Sequence, residues 1–300
     1  MVKKDNNFEL EDRYNLFRTI EEIIHPSISK RNISDYNIIL EDYLYPIRVY
    51  YPKKVSNMKN VIIFIHGDGS ITNSVGKYAD ICKNMAIDTN RLVVAIDYLK
   101  ESNLTYPEFY EKMYLNLTYL YKEFEDSGIM FNDICLMGDS TGGNICYAIN
   151  MMSIERKDFK IDKAVLFYPT LSLDYGKDSK IEYIDNKEND VLIKNLDKYY
   201  KGFCNNEVNK YLSPFVEDNY KKLSDTLVFV SKTDVVKDEC FKYYEGLKKH
   251  NKGRYVEFAF CDNSFLNKLS VDVKKEMFNQ IKEFLKWNSF LFLYNYDIIK

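Results

Sequence analysis

From residue 60 onward, short and almost wholly apolar runs alternate with longer stretches of helical periodicity. Val61 to Ile65, Leu92 to Ile96, Ile134 to Met137, Ala164 to Phe167 and Leu227 to Val230 are continuous apolar runs, and Tyr255 to Phe260 is a more alternating one. Runs this short with no polar face are what parallel strands covered on both sides require. Between them, Phe109, Met113, Leu117, Leu120 and Phe124 recur at helical spacing. So do Phe241, Tyr244 and Leu247, and later Val273, Met277, Ile281 and Phe284. The alternation predicts an α/β fold: a doubly wound, mostly parallel sheet whose ligand chemistry lies at the carboxyl ends of the strands.

Two stretches depart from that rhythm. Near the start, Leu10, Tyr14, Phe17, Ile20 and Ile24 predict an amphipathic helix ended by Pro26. Residues 35–52 then read as two strands, and Pro46 inside the second points to a sheet edge, because proline offers the ladder no N–H. Residues 172–222 are charged and Tyr-rich and fall between two sheet strands. They read, together with residues 1–34, as a lid over a single domain spanning 1–300.

Composition narrows the partners more than the fold. Hydrophobic residues make up 46% of the 300 and charged ones 29%, as in ordinary globular chains. A net charge of −3 leaves no basic footprint for nucleic acid. The first residues carry lysines without an apolar stretch behind them, so no signal peptide is expected, and no run approaches the roughly 20 apolar residues of a membrane span. Six cysteines (Cys82, Cys135, Cys146, Cys204, Cys240, Cys261) lie scattered, with no Cys-x-x-Cys. That usage predicts free thiols in a cytoplasmic protein, with no metal and no cofactor.

The chemistry concentrates in two glycine-flanked motifs. Gly138-Asp139-Ser140-Thr141-Gly142-Gly143-Asn144 follows the run ending at Met137 and leads into a helix-like stretch from Ile145 to Met152. A Gly-x-Ser-x-Gly between strand and helix is the nucleophile elbow of an α/β hydrolase, where the turn leaves no room for side chains beside the serine. The second motif, His66-Gly67-Asp68-Gly69, directly follows the run 61–65. In such folds this loop supplies oxyanion-binding N–H groups and the residue after the nucleophile supplies another. Gly67, Asp68, Gly69 and Thr141 are therefore the candidate oxyanion residues.

These motifs, with Asp97-Tyr98, Ser213-Pro214 and Asp234-Val235-Val236-Lys237-Asp238-Glu239, resemble those of the hormone-sensitive-lipase-like esterases over roughly residues 60–290. The family's usual forms are His-Gly-Gly-Gly, Asp-Tyr-Arg, Gly-Asp-Ser-Ala-Gly-Gly-Asn, Ser-Pro and Asp-x-x-x-Asp-Glu. The resemblance implies a carboxylic ester hydrolase acting on a small ester or acyl ligand, with Ser140 as nucleophile and Asp234 as the triad acid. The bare sequence agrees on Asp234, which follows the run 227–230 and comes after Ser140 in chain order. Asp238 and Glu239 are the alternatives, as acidic residues that suit a helix start.

Two positions depart from the family pattern. Asp68 stands where a glycine is usual, which keeps the N–H and adds a carboxylate. More consequentially, Cys261-Asp262-Asn263-Ser264-Phe265 puts Asn263 in the slot of the triad histidine. An amide cannot take the serine's proton. Of the three histidines, His66 belongs to the oxyanion loop and His250 precedes the last apolar run, at the wrong end of the sheet. His25 follows the predicted N-terminal helix and is left to reach the site from the lid, with a surface or helix-capping role as its alternative. Two readings follow: an esterase of low turnover with an unorthodox base, or a catalytically impaired hydrolase-fold protein that binds an acyl ligand or a protein partner.

Overall fold

The computed structural model describes residues 22–23, 33–40, 43–53, 59–67, 74–98, 105–128, 130–172, 193–194, 209–259, 265–267, 269–286 and 296–299. The apolar runs form strands β3 (Asn60–Ile65), β4 (Leu92–Ile96), β5 (Asp133–Asp139), β6 (Lys163–Phe167), β7 (Asp225–Ser231) and β8 (Gly253–Phe258). β1 (Ile33–Leu40), β2 (Tyr43–Tyr50) and β9 (Tyr296–Ile299) complete one sheet in the order β1-β2-β4-β3-β5-β6-β7-β8-β9. β2 runs antiparallel to both of its neighbours, and every later pairing is parallel. The predicted α/β class holds.

Every residue of β4 and all but the first of β3 are buried, the signature of strands covered on both faces. The covering helices are α1 (Ala79–Thr89), α2 (Glu108–Asp126), α3 (Thr141–Arg156), α4 (Lys237–Lys248) and α5 (Val271–Lys286). In α2 the predicted stripe Phe109, Met113, Leu117, Leu120, Phe124 is buried throughout. In α4 the buried face is turned: Cys240, Tyr243, Tyr244 and Leu247 face inward while Phe241 is exposed. α3 is buried on all sides from Thr141 to Ser153, so it shows no amphipathic stripe.

Pro46 is not in the edge strand. The outer strand is β1, and Pro46 lies in β2, opposite Asn37. The pairing of β2 with β4 begins one residue later, at Ile47, and the Pro46 carbonyl accepts from the Asp97 N–H. The proline thus sits at the end of the ladder with β4, where its carbonyl keeps one bond and its missing N–H removes only the terminal reciprocal one.

The predicted N-terminal helix lies outside the described residues except for Glu22 and Ile23, which are helical. Most of the predicted lid is likewise outside them. Of its stated bounds, Ile33 and Ser34 belong to strand β1. Residues 209–222 are fastened to the body: the Tyr147 hydroxyl donates to the Lys210 carbonyl at 2.7 Å, and Leu212 is fully buried. Among the described residues no helix is long and apolar enough to cross a membrane.

Candidate functional site

β5 occupies the middle of the sheet, and its carboxyl end runs straight into α3 through Ser140. Ser140 has φ 52° and ψ −119°, a backbone conformation that L-residues rarely adopt. Three backbone bonds hold it there. Its N–H donates to the Phe167 carbonyl at 2.9 Å, and its own carbonyl accepts from Thr170 and Asn144, both at 3.2 Å. Thr141, buried, takes the first position of α3, where the N–H has no partner in the helix's own ladder and lies at the positive end of the dipole.

The flanking glycines are a matter of space. A Cβ on Gly138 would lie 2.6 Å from the Gly142 carbonyl oxygen and 2.7 Å from that of Ile65. One on Gly142 would lie 2.5 Å from the His66 carbonyl oxygen and closer still to that of Ile65. The turn is therefore pressed directly against the end of β3, where the second motif starts. The two motifs that the sequence singles out meet at the carboxyl ends of the two neighbouring central strands.

At that meeting point His66 is buried and its Nδ1 lies 2.7 Å from the Gly67 carbonyl, which it reaches as a donor. Its ring stacks on Tyr98 with centroids 4.4 Å apart, and the Tyr98 hydroxyl donates to the His66 carbonyl at 2.7 Å. Asp97 Oδ1 stands 3.8 Å from His66 Nε2. Gly67, one of the candidate oxyanion residues, donates its N–H to Asp139 Oδ1 at 2.6 Å. Asp68 and Gly69 lie outside the described residues.

Asp234 follows β7, at the carboxyl end of the sheet, and is 3% exposed. Its Oδ1 accepts from the Val236 N–H at 3.1 Å. Burial raises its pKa to about 7; the Val236 N–H opposes the rise and nearby Glu239 adds to it. The two alternatives behave differently. Asp238 is exposed, and Glu239 is buried with Oε1 accepting from the Leu171 N–H at 2.8 Å. Asn263, the residue in the histidine slot, lies outside the described residues, as does His25. His250 is in the turn after α4, before β8.

Several residues at the site carry no prior signal, or only their place in a motif. Asn144 is fully buried and ties three segments together: it accepts from the Tyr110 hydroxyl and donates to the Thr170 carbonyl at 2.7 Å and the Leu212 carbonyl at 2.8 Å. Glu239, with the Cys240 thiol 3.5 Å from the Pro169 carbonyl, pins the loop after β6. Asn144 and Glu239 were visible as motif positions, but nothing in the sequence said whom they hold. A hollow of about 670 Å³ lies at the opposite, amino ends of β6 to β8, lined in part by Lys160, Asp162, Asp225 and Lys252. Its charges answer one another, Lys160 to Asp162 at 2.5 Å and Lys252 to Asp225 at 3.6 Å, and none belongs to either motif.

The same architecture recurs in solved esterases. An esterase of the archaeon Pyrobaculum calidifontis superposes with a TM-score of 0.74 at 22% identity, covering 95% of this chain and 91% of that one. Carboxyl esterase 2 of the fungus Tuber melanosporum gives 0.73 at 18% identity, covering 87% and 88%. In sequence, the chain is 28% identical to mouse arylacetamide deacetylase-like 3 over 204 residues, 63% of this chain and 49% of that protein. It is 23% identical to an arylesterase of Saccharolobus solfataricus over 230 residues, 75% of this chain and 74% of that one. Three relatives, from mouse, a mimivirus and Fusarium, are matched over 49%, 63% and 65% of their own lengths. Residues 62–265, from the strand before His66 to the turn beyond the histidine slot, match the family described as alpha/beta hydrolase fold, and the chain belongs to that family.

Proposed function

We propose that this protein is a carboxylic ester hydrolase by descent and chemistry, with Ser140 as nucleophile and Asp234 as the acid of an incomplete triad. In that reading Ser140 Oγ bonds to the carbonyl carbon of a small ester and the acyl–oxygen bond breaks to release an alcohol. Water then attacks the acyl-enzyme, releasing the acid and restoring the serine. In this reading Asp68, Gly69 and Thr141 supply the N–H donors for the oxygen on which negative charge develops. Asn263 stands in the histidine slot, so no imidazole takes the serine's proton there. Native turnover is low, and its base is His25 or a water held by Asn263 and Asp262. The buried thiols Cys82, Cys135, Cys146 and Cys240 suit a reducing compartment, the cytoplasm.

The observation that carries this reading is the Ser140 backbone, strained at φ 52° on the end of the central strand and pressed against the loop that begins at His66. Strain of this kind persists only where the surroundings enforce it, and it collects at functional sites. The second reading, a hydrolase-fold protein that binds an acyl ligand or a protein partner without turnover, draws on Asn263 alone.

One experiment separates them: turnover of p-nitrophenyl acetate by the native chain, Ser140→Ala and Asn263→His. The esterase reading expects weak native activity and a gain on the order of 10³ from Asn263→His, since loss of the triad histidine elsewhere removes about 10⁶. Strong native activity abolished by Ser140→Ala would assign the base to another group, and His25→Ala then identifies it. No gain in a folded Asn263→His protein would favour the binding role.

A further inference from the structure

We propose that Asp139 is a positioning residue for the oxyanion loop, a single buried carboxylate that fastens the loop after β3 to the serine turn. The proposal rests on the reading of Ser140 given above and adds a role for the residue that precedes it. Asp139 is 2% exposed and ends β5. Its Oδ1 accepts from the Gly67 N–H at 2.6 Å, and its Oδ2 accepts from the Tyr78 hydroxyl at 2.7 Å and the Tyr168 hydroxyl at 3.2 Å. The three donors come from three separate places: the loop after β3, the residue before α1, and the residue after β6. A buried carboxylate is tolerated only when donors answer it, and here they converge.

Two further features show that the surroundings are shaped for this contact. A Cβ on Gly67 would lie 2.5 Å from the Asp139 carbonyl oxygen and 2.8 Å from Oδ2, so the loop can approach this closely only as glycine. Tyr168 has φ 37°, in the left-handed region that an aromatic residue seldom enters. Its N–H, at 2.6 Å from the Phe229 carbonyl, holds that conformation, and the phenol reaches Asp139. The strain goes into aiming one hydroxyl.

The link to catalysis runs through the peptide plane. The Gly67 N–H is held by Asp139 and the Gly67 carbonyl by His66 Nδ1. Because a trans peptide is planar, the bond to the Gly67 N–H fixes the His66–Gly67 plane, from which the loop leaves β3, and the His66 ring holds the carbonyl of the plane after it. Asp139 therefore acts through the loop's amides and makes no bond to the substrate. Loosening it misplaces the amides that follow Gly67 without removing any group that touches the substrate.

The test uses the full chain with Asp139→Asn, Tyr168→Phe and Tyr78→Phe. The first readout is amide hydrogen exchange of the segment spanning residues 60–72. The second is the rate at which a fluorophosphonate probe modifies Ser140, followed by mass spectrometry across probe concentrations. Exchange in that segment should rise at least about tenfold while α2 stays protected. The limiting labelling rate should fall about tenfold to a hundredfold with the half-saturating probe concentration unchanged, the pattern of a misplaced donor. A structural role alone would raise exchange in α2 as well. Unchanged loop exchange and an unchanged limiting rate would overturn the proposal, even with labelling that depends on Ser140. Labelling absent from the native chain, or surviving Ser140→Ala, would overturn the reading of Ser140, and loop exchange would then decide on Asp139. Should Asp139→Asn fail to fold, Tyr168→Phe removes a single oxygen and carries both measurements.

Discussion

Gly142 and Gly76 make a matched pair at the residue scale. At Gly142 a methyl group would collide with backbone oxygens of Ile65 and His66, which cannot swing aside as a side chain could; at Gly76 it would meet nothing within 4 Å. Gly142→Ala should therefore lower stability by about 1–3 kcal/mol or force β3 and the serine turn apart, with loss of any Ser140-dependent labelling. Gly76→Ala should be neutral or slightly stabilising. Thermal melting of the two variants checks this, and equal melting temperatures would mean that the turn can relax. The glycines were legible because steric exclusion leaves a residue type behind in the sequence. The partners of Asn144 and Asp139 were not, because a buried amide or carboxylate looks the same whatever it binds. Tyr78 and Tyr168 left no mark at all among the chain's 26 tyrosines.

Elements were readable in proportion to how many residues share one environment. β3 to β7 announced themselves because parallel strands buried on both faces are apolar at nearly every position. α1 went unmarked, since its buried residues Ile81, Cys82, Met85 and Ala86 make a narrow stripe between polar ones. β9, four residues long, is too short to show a period. How the elements join is a property of few side chains, and Asn144 is the clearest. It binds α3 to Tyr110 on α2, to the loop after β6 and to the segment at Leu212. Asn144→Ala should leave a hydroxyl and two carbonyls without this partner, at about 1–3 kcal/mol for each group that stays buried and unmet. Combined with Tyr110→Phe, the loss should be less than additive, because the two variants remove one shared bond. A double-mutant cycle by urea unfolding measures it; strict additivity would show that the bond contributes nothing.

At the scale of the whole molecule, this site contributes a pH dependence of stability with inverted sign. Asp139 and Asp234 are both buried at the carboxyl end of the sheet, and burial pushes both pKa values up, Asp139 in spite of its three donors and Asp234 to about 7 from the ordinary 3.8. A carboxyl group whose pKa is higher in the folded chain than in the unfolded one holds its proton longer when folded. Its contribution to stability is fully present below pH 3.8 and is lost as pH rises through about 7, the opposite of a paired carboxylate. For Asp234 the loss amounts to about 4 kcal/mol between those limits. Other carboxylates slope the other way, so the difference between native chain and Asp234→Asn is the quantity to measure. Unfolding by urea at pH 4 should find the two similar, and at pH 8 Asp234→Asn should be the more stable. Asn263→His should shrink that gap, because an imidazole in the slot gives the carboxylate a partner that favours its charged form. A gap that stays constant from pH 4 to pH 8 would mean that Asp234 is ionised at ordinary acidity in the folded protein, already held by a donor or a cation that takes the histidine's place.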